Sequence, residues 1–248
     1  MILSDLHVHT SFSDGADEPE AMVLAAIEKN MDTIGFSDHS YTFFDESYCM
    51  KKEKISAYKS EISRLKEKYK DKINILCGIE QDFYSNEPTD GYDYAIGSVH
   101  YLKEGDDYFP VDEGNDCLIN AANKYYGGDI YKLCEVYFDT VSKIRNVDII
   151  GHFDLITKFN ESTPIFDEKS ERYVAAYKKA LDALLKLNIP FEINTGMVFR
   201  GLKSLPYPSP DILDYIIKNG GKTVLSSDAH CKDALMFNFS KYESGYTI

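Results

Sequence analysis

Six histidines stand at positions 7, 9, 39, 100, 152 and 230, each at the end of a short apolar run and none inside a helical pattern. One residue separates His7 from His9, and one separates Asp228 from His230. In an extended strand that spacing sends both side chains to the same face. Glu80 closes another apolar run, and Asp14 sits in a Ser13-Asp14-Gly15 turn. Imidazole and carboxylate together suit zinc, iron or manganese. Three protein ligands with one position left for water are the mark of a catalytic zinc site. The nine groups His7, His9, Asp14, His39, Glu80, His100, His152, Asp228 and His230 would give three ions about three ligands each. Any one histidine at a strand end is more often a hydrogen-bonded structural residue. Six of them buried without function would be a costly coincidence. For Asp14 a plain turn role weighs nearly as much as ligation. Asp5 and Asp38 flank ligands and are expected to orient imidazoles. Asp17 is expected to cap a helix, and Cys231 to be a bystander.

A metal face becomes a phosphate site when a cation joins it. Of four arginines, Arg64, Arg145 and Arg172 fall in helical patterns, where solvated or surface-paired roles are simplest. Arg200 follows an apolar run, in Asn194-Thr195-Gly196-Met197-Val198-Phe199-Arg200. Its forked guanidinium could hold a phosphoryl group in two directions. Lys158 and Lys203 are the weaker candidates for that role, since a loop lysine is more often solvated. Asp106, Asp107 or Glu113 could form an acidic rim for an amine, although a solvated acidic loop is the commoner case.

These groups need elements to aim them. Seven short runs rich in Ile and Val, at residues 2–9, 33–37, 73–80, 94–100, 148–152, 190–194 and 223–228, read as parallel strands buried on both faces. Helical patterns at 19–30, 51–70, 129–145, 169–187 and 210–218 alternate with most of them. Asp17 with Glu20 three residues on predicts an N-cap and capping-box acid for the first helix. Strands alternating with helices predict an α/β fold. In a closed parallel barrel all the strand C-termini meet at one face, which would gather the histidines into a ring. Residues 103–128 are the least regular stretch and predict a long excursion after the fourth strand. No linker interrupts the chain, so residues 1–248 read as one domain.

Forty-one acids against 27 bases leave a formal charge of −14 over 248 residues. Such a surface repels nucleic acid. It still admits a small anionic substrate, because divalent ions dominate the field inside a site. Five cysteines without a CxxC pair argue for a reducing, cytoplasmic setting. Neither a secretory signal nor an apolar stretch long enough for a membrane span is visible.

The motif series Asp5-Leu-His7-Val-His9-Thr10, Asp38-His39, Gly78-Ile-Glu80, Gly97-Ser-Val-His100, Gly151-His152-Phe-Asp154 and Ser227-Asp228-Ala-His230 resembles that of the polymerase-and-histidinol-phosphatase (PHP) superfamily. Glu192-Ile-Asn-Thr-Gly196 and Tyr207-Pro-Ser-Pro210 make the chain similar, within it, to the histidinol phosphatases of the PHP type. The resemblance implies a distorted TIM-like (β/α)7 barrel with a trinuclear centre of Zn, Mn or Fe at the C-terminal face of the strands. It implies that His7, His9, Glu80 and Asp228 hold one ion. Glu80 would bridge to a second ion on His100 and His152, and a third would take Asp14, His39 and His230. The implied reaction is hydrolysis of L-histidinol phosphate, with Glu80, Asp228 and Arg200 in catalytic roles and Arg200, Lys158 or Lys203 on the substrate. The rival readings are another small phosphate monoester, such as a nucleotide or phosphotyrosine, and a non-catalytic metal-binding domain. The expected partner is a small phosphorylated molecule, with no nucleic acid and no membrane; the oligomeric state is open.

Overall fold

The computed structural model describes residues 3–242. In chain order the elements are β1 (Ser4–Asp5), α1 (Pro19–Glu28), β2 (Thr33–Phe36), α2 (Ile55–Tyr69), β3 (Asn74–Asp82), β4 (Tyr94–Ser98), β5 (Tyr101–Glu104), β6 (Asp107–Pro110), α3 (Asn115–Tyr126), α4 (Ile130–Val141), β7 (Ile149–Ile150), α5 (Glu171–Leu184), β8 (Phe191–Asn194), α6 (Gly196–Phe199), α7 (Pro210–Lys218), β9 (Thr223–Ser226) and α8 (Phe239–Tyr242). One seven-stranded sheet runs in the order β1-β2-β3-β4-β7-β8-β9. All its pairings are parallel. Beyond the ends of β1 and β9, His9 N donates to Ala229 O at 2.8 Å and Ala229 N donates to His7 O at 3.0 Å. This bridge brings the first strand onto the last and nearly closes the barrel.

Inside the barrel Tyr94 donates its hydroxyl to Leu6 O at 2.6 Å and to Phe36 O at 3.1 Å. The ring fits because Gly35 and Gly78 face it: a Cβ on either would lie 2.4 or 2.3 Å from its atoms. Outside, α2 turns Tyr58, Ile62, Leu65 and Tyr69 inward, and all four are buried. Each such side chain contributes about 1.5–3 kcal/mol by leaving water. Tyr58 also donates to Gly78 O at 2.9 Å, which ties helix to strand. Among the described residues no helix is long and apolar enough to cross a membrane.

Several predicted boundaries need correction. The first predicted strand began at Ile2, which lies outside the described residues. Five of the seven strands end earlier than their apolar runs, because past the ladder the backbone donors turn to side-chain oxygens, whereas β8 ends at Asn194 as expected and β3 runs on two residues to Asp82. His100 N, for example, donates to Asp82 Oδ2 at 3.0 Å. Asp17 does not cap α1. The N-cap is Glu18, with Pro19 at the first helical position, and its side chain makes no capping bond. Asp17 instead accepts from Lys232 N at 2.9 Å. Glu20 leaves the helix terminus for Arg64, Lys68 and Tyr69 of α2. Residues 103–128 are regular after all. They complete the β5–β6 hairpin, whose two-residue turn uses Gly105 at φ 60°, and then form α3. The helix was hidden by its polar content, and packing of Leu118, Ala121 and Ala122 overrides the weak propensities.

Candidate metal centre

Glu80, near the C-terminal end of β3, stands at the middle of the barrel mouth. Its Oε2 lies 2.8 Å from His39 Nδ1, 3.3 Å from His7 Nε2 and 3.6 Å from His9 Nε2. Its Oε1 lies 2.9 Å from His152 Nε2 and 3.4 Å from His100 Nε2, and accepts from Ser98 Oγ at 2.6 Å. Asp228 Oδ1 is 3.2 Å from His9 Nε2, and Asp14 Oδ2 is 3.1 Å from His230 Nε2. All nine groups therefore converge on one face, contributed by residues from both ends of the chain. His7, His9 and Glu80 are almost fully buried, whereas Asp14 is exposed and His230 partly so.

Many of these atoms lack hydrogen bonds. His7 Nε2, both ring nitrogens of His9, Glu80 Oε2, His100 Nδ1 and His152 Nδ1 are buried without a well-directed hydrogen bond, although His39 Nδ1 stands 2.8 Å from Glu80 Oε2 and Asp82 Oδ2 3.3 Å from His100 Nδ1. Each such atom costs about 1–3 kcal/mol if left unsatisfied. A cation between His7, His9 and Glu80 would remove that cost for the atoms that face one another there. Nitrogen and oxygen donors can meet on one ion in three overlapping sets, each within 4.8 Å: His9, Asp14, His39 and His230; His7, His9 and Glu80; and His39, Glu80 and His100. His9 and His39 each serve two sets, as does Glu80. This donor set fits divalent transition metal.

Tautomers support that fit. Glu192 Oε1 is 2.5 Å from His7 Nδ1, which keeps a proton on Nδ1 and would leave Nε2, facing Glu80 and Asp228, to a metal. In the metal-free chain burial works to lower the His7 imidazole, yet Glu192, Glu80 and Asp228 raise it. His230 Nδ1 donates to Asp228 O at 2.9 Å, which aims Nε2 at Asp14. In the metal-free chain burial, with His230 and His39 nearby, lowers the His9 imidazole to about 3, so it is neutral. Burial works to raise Glu80, yet His39, His7 and His100 hold it well below the usual carboxylate range. Asp228 is held down in the same way by His7, His9 and His230 against burial. Asp14 is lowered by His39, His230 and His9, which also outweigh burial.

Asp228 has a φ of 49°, a left-handed conformation that a non-glycine residue seldom adopts and that costs about 1 kcal/mol or more. Gly196 makes room for it, since a Cβ there would stand 3.0 Å from Asp228 Cβ and 3.1 Å from Ser227 O. Asn194 Nδ2 reaches both Glu192 Oε2 at 3.1 Å and Asp228 Oδ2 at 3.3 Å.

A cavity of about 140 Å³ opens over Glu80, His100, His152, Asp228 and His230. Its other side carries Tyr48, Tyr101, Asp112, Glu113, Lys158 and Arg200. Arg200, exposed, caps α6 at the mouth. Lys158 Nζ is 2.9 Å from Asp112 Oδ2. Lys203 is elsewhere: it is buried, donates to Thr157 Oγ1 at 3.1 Å and lies over the Tyr207 ring rather than lining the cavity. Of the proposed acidic rim only Glu113 lines the cavity; Asp107 is taken by Lys124 and Tyr125.

Asp5 and Asp38 do not touch imidazole rings. Asp5 accepts from Ser227 N and Oγ and from Met236 N. Asp38 accepts from Thr10 N and Oγ1 and from Ser13 N and Oγ. They hold the loops that carry the ligands by satisfying backbone donors that the strand ladders leave unpaired. The ring-orienting part falls to Glu192, whose role sequence reasoning missed. The signal was there: in Phe191-Glu192-Ile193-Asn194 two polar side chains alternate with apolar ones on a strand whose residues are all buried.

The PHP domain pattern matches residues 5–196, more than half of the chain. This chain belongs to the PHP domain family. Among PHP relatives it is 27% identical to the histidinol-phosphatase of Lactococcus lactis, over 91% of this chain and 83% of the relative. It is 26% identical to that of Bacillus subtilis, over 91% and 92%. The crystal structure of the hisK protein of Listeria monocytogenes superposes with a TM-score of 0.81 at 21% identity, covering 96% of this chain and 99% of that one. The Lactococcus lactis histidinol phosphate phosphatase, solved with zinc, L-histidinol and phosphate, gives 0.70 at 24% identity over 93% and 87%. These neighbours share the barrel.

Proposed function

We propose that this PHP domain hydrolyses L-histidinol phosphate to L-histidinol and inorganic phosphate, using up to three divalent ions of zinc, manganese or iron. The observation that carries this reading is the cluster of buried imidazoles around Glu80, beside a cavity lined by His39, His100, His152 and His230 with Lys158 and Arg200 on its far side. Relatives named histidinol-phosphatase, aligned along nine-tenths of the chain, support the substrate. We assign His7, His9, Glu80 and Asp228 to one ion, Glu80, His100 and His152 to a second, and Asp14, His39 and His230 to a third. Bound ions supply Lewis acidity to the phosphoryl oxygens and lower the pKa of water towards neutrality.

The chain's own residues do the rest. Arg200 and Lys158 meet the phosphoryl oxygens and neutralise charge as it spreads over them. Asp228, ionised and aimed at the centre, would hold an ion through Oδ1, and the proton lost by the attacking water ends on the departing alkoxide. Water thus adds to phosphorus as the ester P–O bond breaks. Glu113 faces the amine of the substrate from the rim. Lys203, held by Thr157, supports the wall behind Lys158 rather than touching phosphate. We take the chain as one catalytic domain, 1–248, working in the cytoplasm on a small phosphorylated molecule and binding neither nucleic acid nor membrane; the net charge of −14 supports this.

The test is phosphate release from L-histidinol phosphate, a nucleoside monophosphate and phosphotyrosine, with zinc, manganese or iron added in turn. Preference for histidinol phosphate, abolished by chelation and restored by metal, is expected. Preference for either other ester would overturn the substrate assignment.

A further inference from the structure

The cavity has two unlike walls. One is the metal face; the other carries two tyrosines whose hydroxyls are tied away. Tyr101, buried on β5, donates to Asp45 Oδ2 at 2.5 Å. Tyr48, in the loop between β2 and α2, shares a hydrogen bond of 3.0 Å with Thr42 Oγ1. The two rings lie 6.0 Å apart with their planes only 25° from parallel. That gap is too narrow to admit a third ring between them, so a ligand ring meets their surface from the cavity that both line. Phe44 backs Tyr101 edge-on at 5.0 Å and stacks on Tyr108 of the hairpin at 3.8 Å, which locks loop and hairpin together. Tyr48 also meets the His39 ring edge-on at 4.9 Å, so the surface abuts the metal face directly.

We infer that Tyr48 and Tyr101 form a wall that selects the leaving group by stacking against a flat aromatic ring, with Asp45 as the positioning residue that holds Tyr101. Because both hydroxyls are engaged by the protein, the wall offers ring surface rather than hydrogen bonds. It therefore discriminates by shape and π-contact. An imidazole near neutral pH is planar and partly cationic, which suits both stacking and cation–π attraction. This inference rests on the proposed hydrolysis of histidinol phosphate and names the part of the site that reads its ring.

The comparison substrate is 2-aminoethyl phosphate, which keeps the amine and the phosphate ester but lacks the ring. The quantity measured is the ratio of kcat/KM for histidinol phosphate to that for 2-aminoethyl phosphate, in enzyme checked for metal content and circular dichroism. Tyr48→Leu and Tyr101→Leu should each lower the ratio about tenfold, the scale of one aromatic or cation–π contact. Asp45→Ala should lower it about threefold, through KM for histidinol phosphate. Tyr101→Phe should do the same, and the double variant should add nothing, because both remove one tether. Histidinol as a product inhibitor should weaken in the leucine variants more than inorganic phosphate does. A ratio that stays constant in the leucine variants, whether or not both rates fall, overturns the wall while leaving the phosphatase reading intact. A wild type that does not hydrolyse histidinol phosphate overturns both.

Discussion

Glu192 Oε1 lies 2.5 Å from Nδ1 of His7, with both side chains fully buried. Glu192 also accepts from Ser226 Oγ at 2.6 Å and from His152 N at 2.9 Å. One carboxylate thus sets the tautomer of one imidazole and the backbone of the loop bearing another. Glu192→Gln should fold and yet bind metal about 10- to 100-fold more weakly, the usual cost of losing such an orienting partner. Competitive titration against a zinc chelator measures this. Wild-type affinity in the variant would assign the ring's orientation to packing alone.

Because Glu80 is within reach of five imidazoles, it is the position where metal content and rate should fall together. Purified protein is expected to carry up to three transition-metal ions per chain, and Glu80→Gln to lose both occupancy and turnover. Elemental analysis alongside phosphate release checks this. A metal-free protein with full turnover would sink the assignment.

Arg200 tests the step from metal face to phosphatase. A lost charge-assisted contact near the reacting phosphoryl group should cost about 2–4 kcal/mol, or roughly 30- to 1000-fold in kcat/KM. Arg200→Lys should recover part of that, since a point charge cannot match a two-pronged fork. Equal values for wild type, Arg200→Lys and Arg200→Ala would leave Lys158 to bind phosphate alone.

Asp38 makes stability depend on pH. Burial raises its carboxyl from 3.8 to about 6, against hydrogen bonds from Ser13 and Thr10 that lower it. The native state therefore holds this proton more tightly than the unfolded chain. Its stabilising contribution is full below about pH 4 and is lost as pH rises through about 6. Asp38→Asn mimics the protonated form and keeps an acceptor for Thr10 N and Ser13 N. Relative to wild type it should gain on the order of 1 kcal/mol between pH 5 and pH 7.5, in urea unfolding of the metal-free protein. An unchanged difference between the two pH values would contradict the buried-acid account.

The strand–helix alternation and the histidines at strand ends were legible in the sequence, because both follow from local periodicity. A strand's alternation dictates that His7 and His9 share a face, and parallel strands present their ends together. Regular structure in residues 103–128 was not legible, because polar side chains dominate α3 and its stability comes from packing on α4. The parts played by Asp5, Asp38 and Asp17 were misread for a related reason. A carboxylate beside a ligand can serve a ring, a backbone amide or a helix end, and only distance chooses among them.

By itself, then, the sequence determined the chemical inventory: which groups could bind metal, and that they would gather at one face of an α/β barrel. Tertiary structure decided the pairings. His7 and Glu192 are 185 residues apart, and closure of β1 onto β9 brings them onto one hydrogen bond. The same closure sets His9 between Asp228 and Glu80, while packing elsewhere seats Asp228 in a left-handed turn over Gly196 and places Lys203 over the Tyr207 ring instead of in the cavity. Hydrogen bonds and ligand fields act over about 3 Å, a separation that no spacing along the chain encodes.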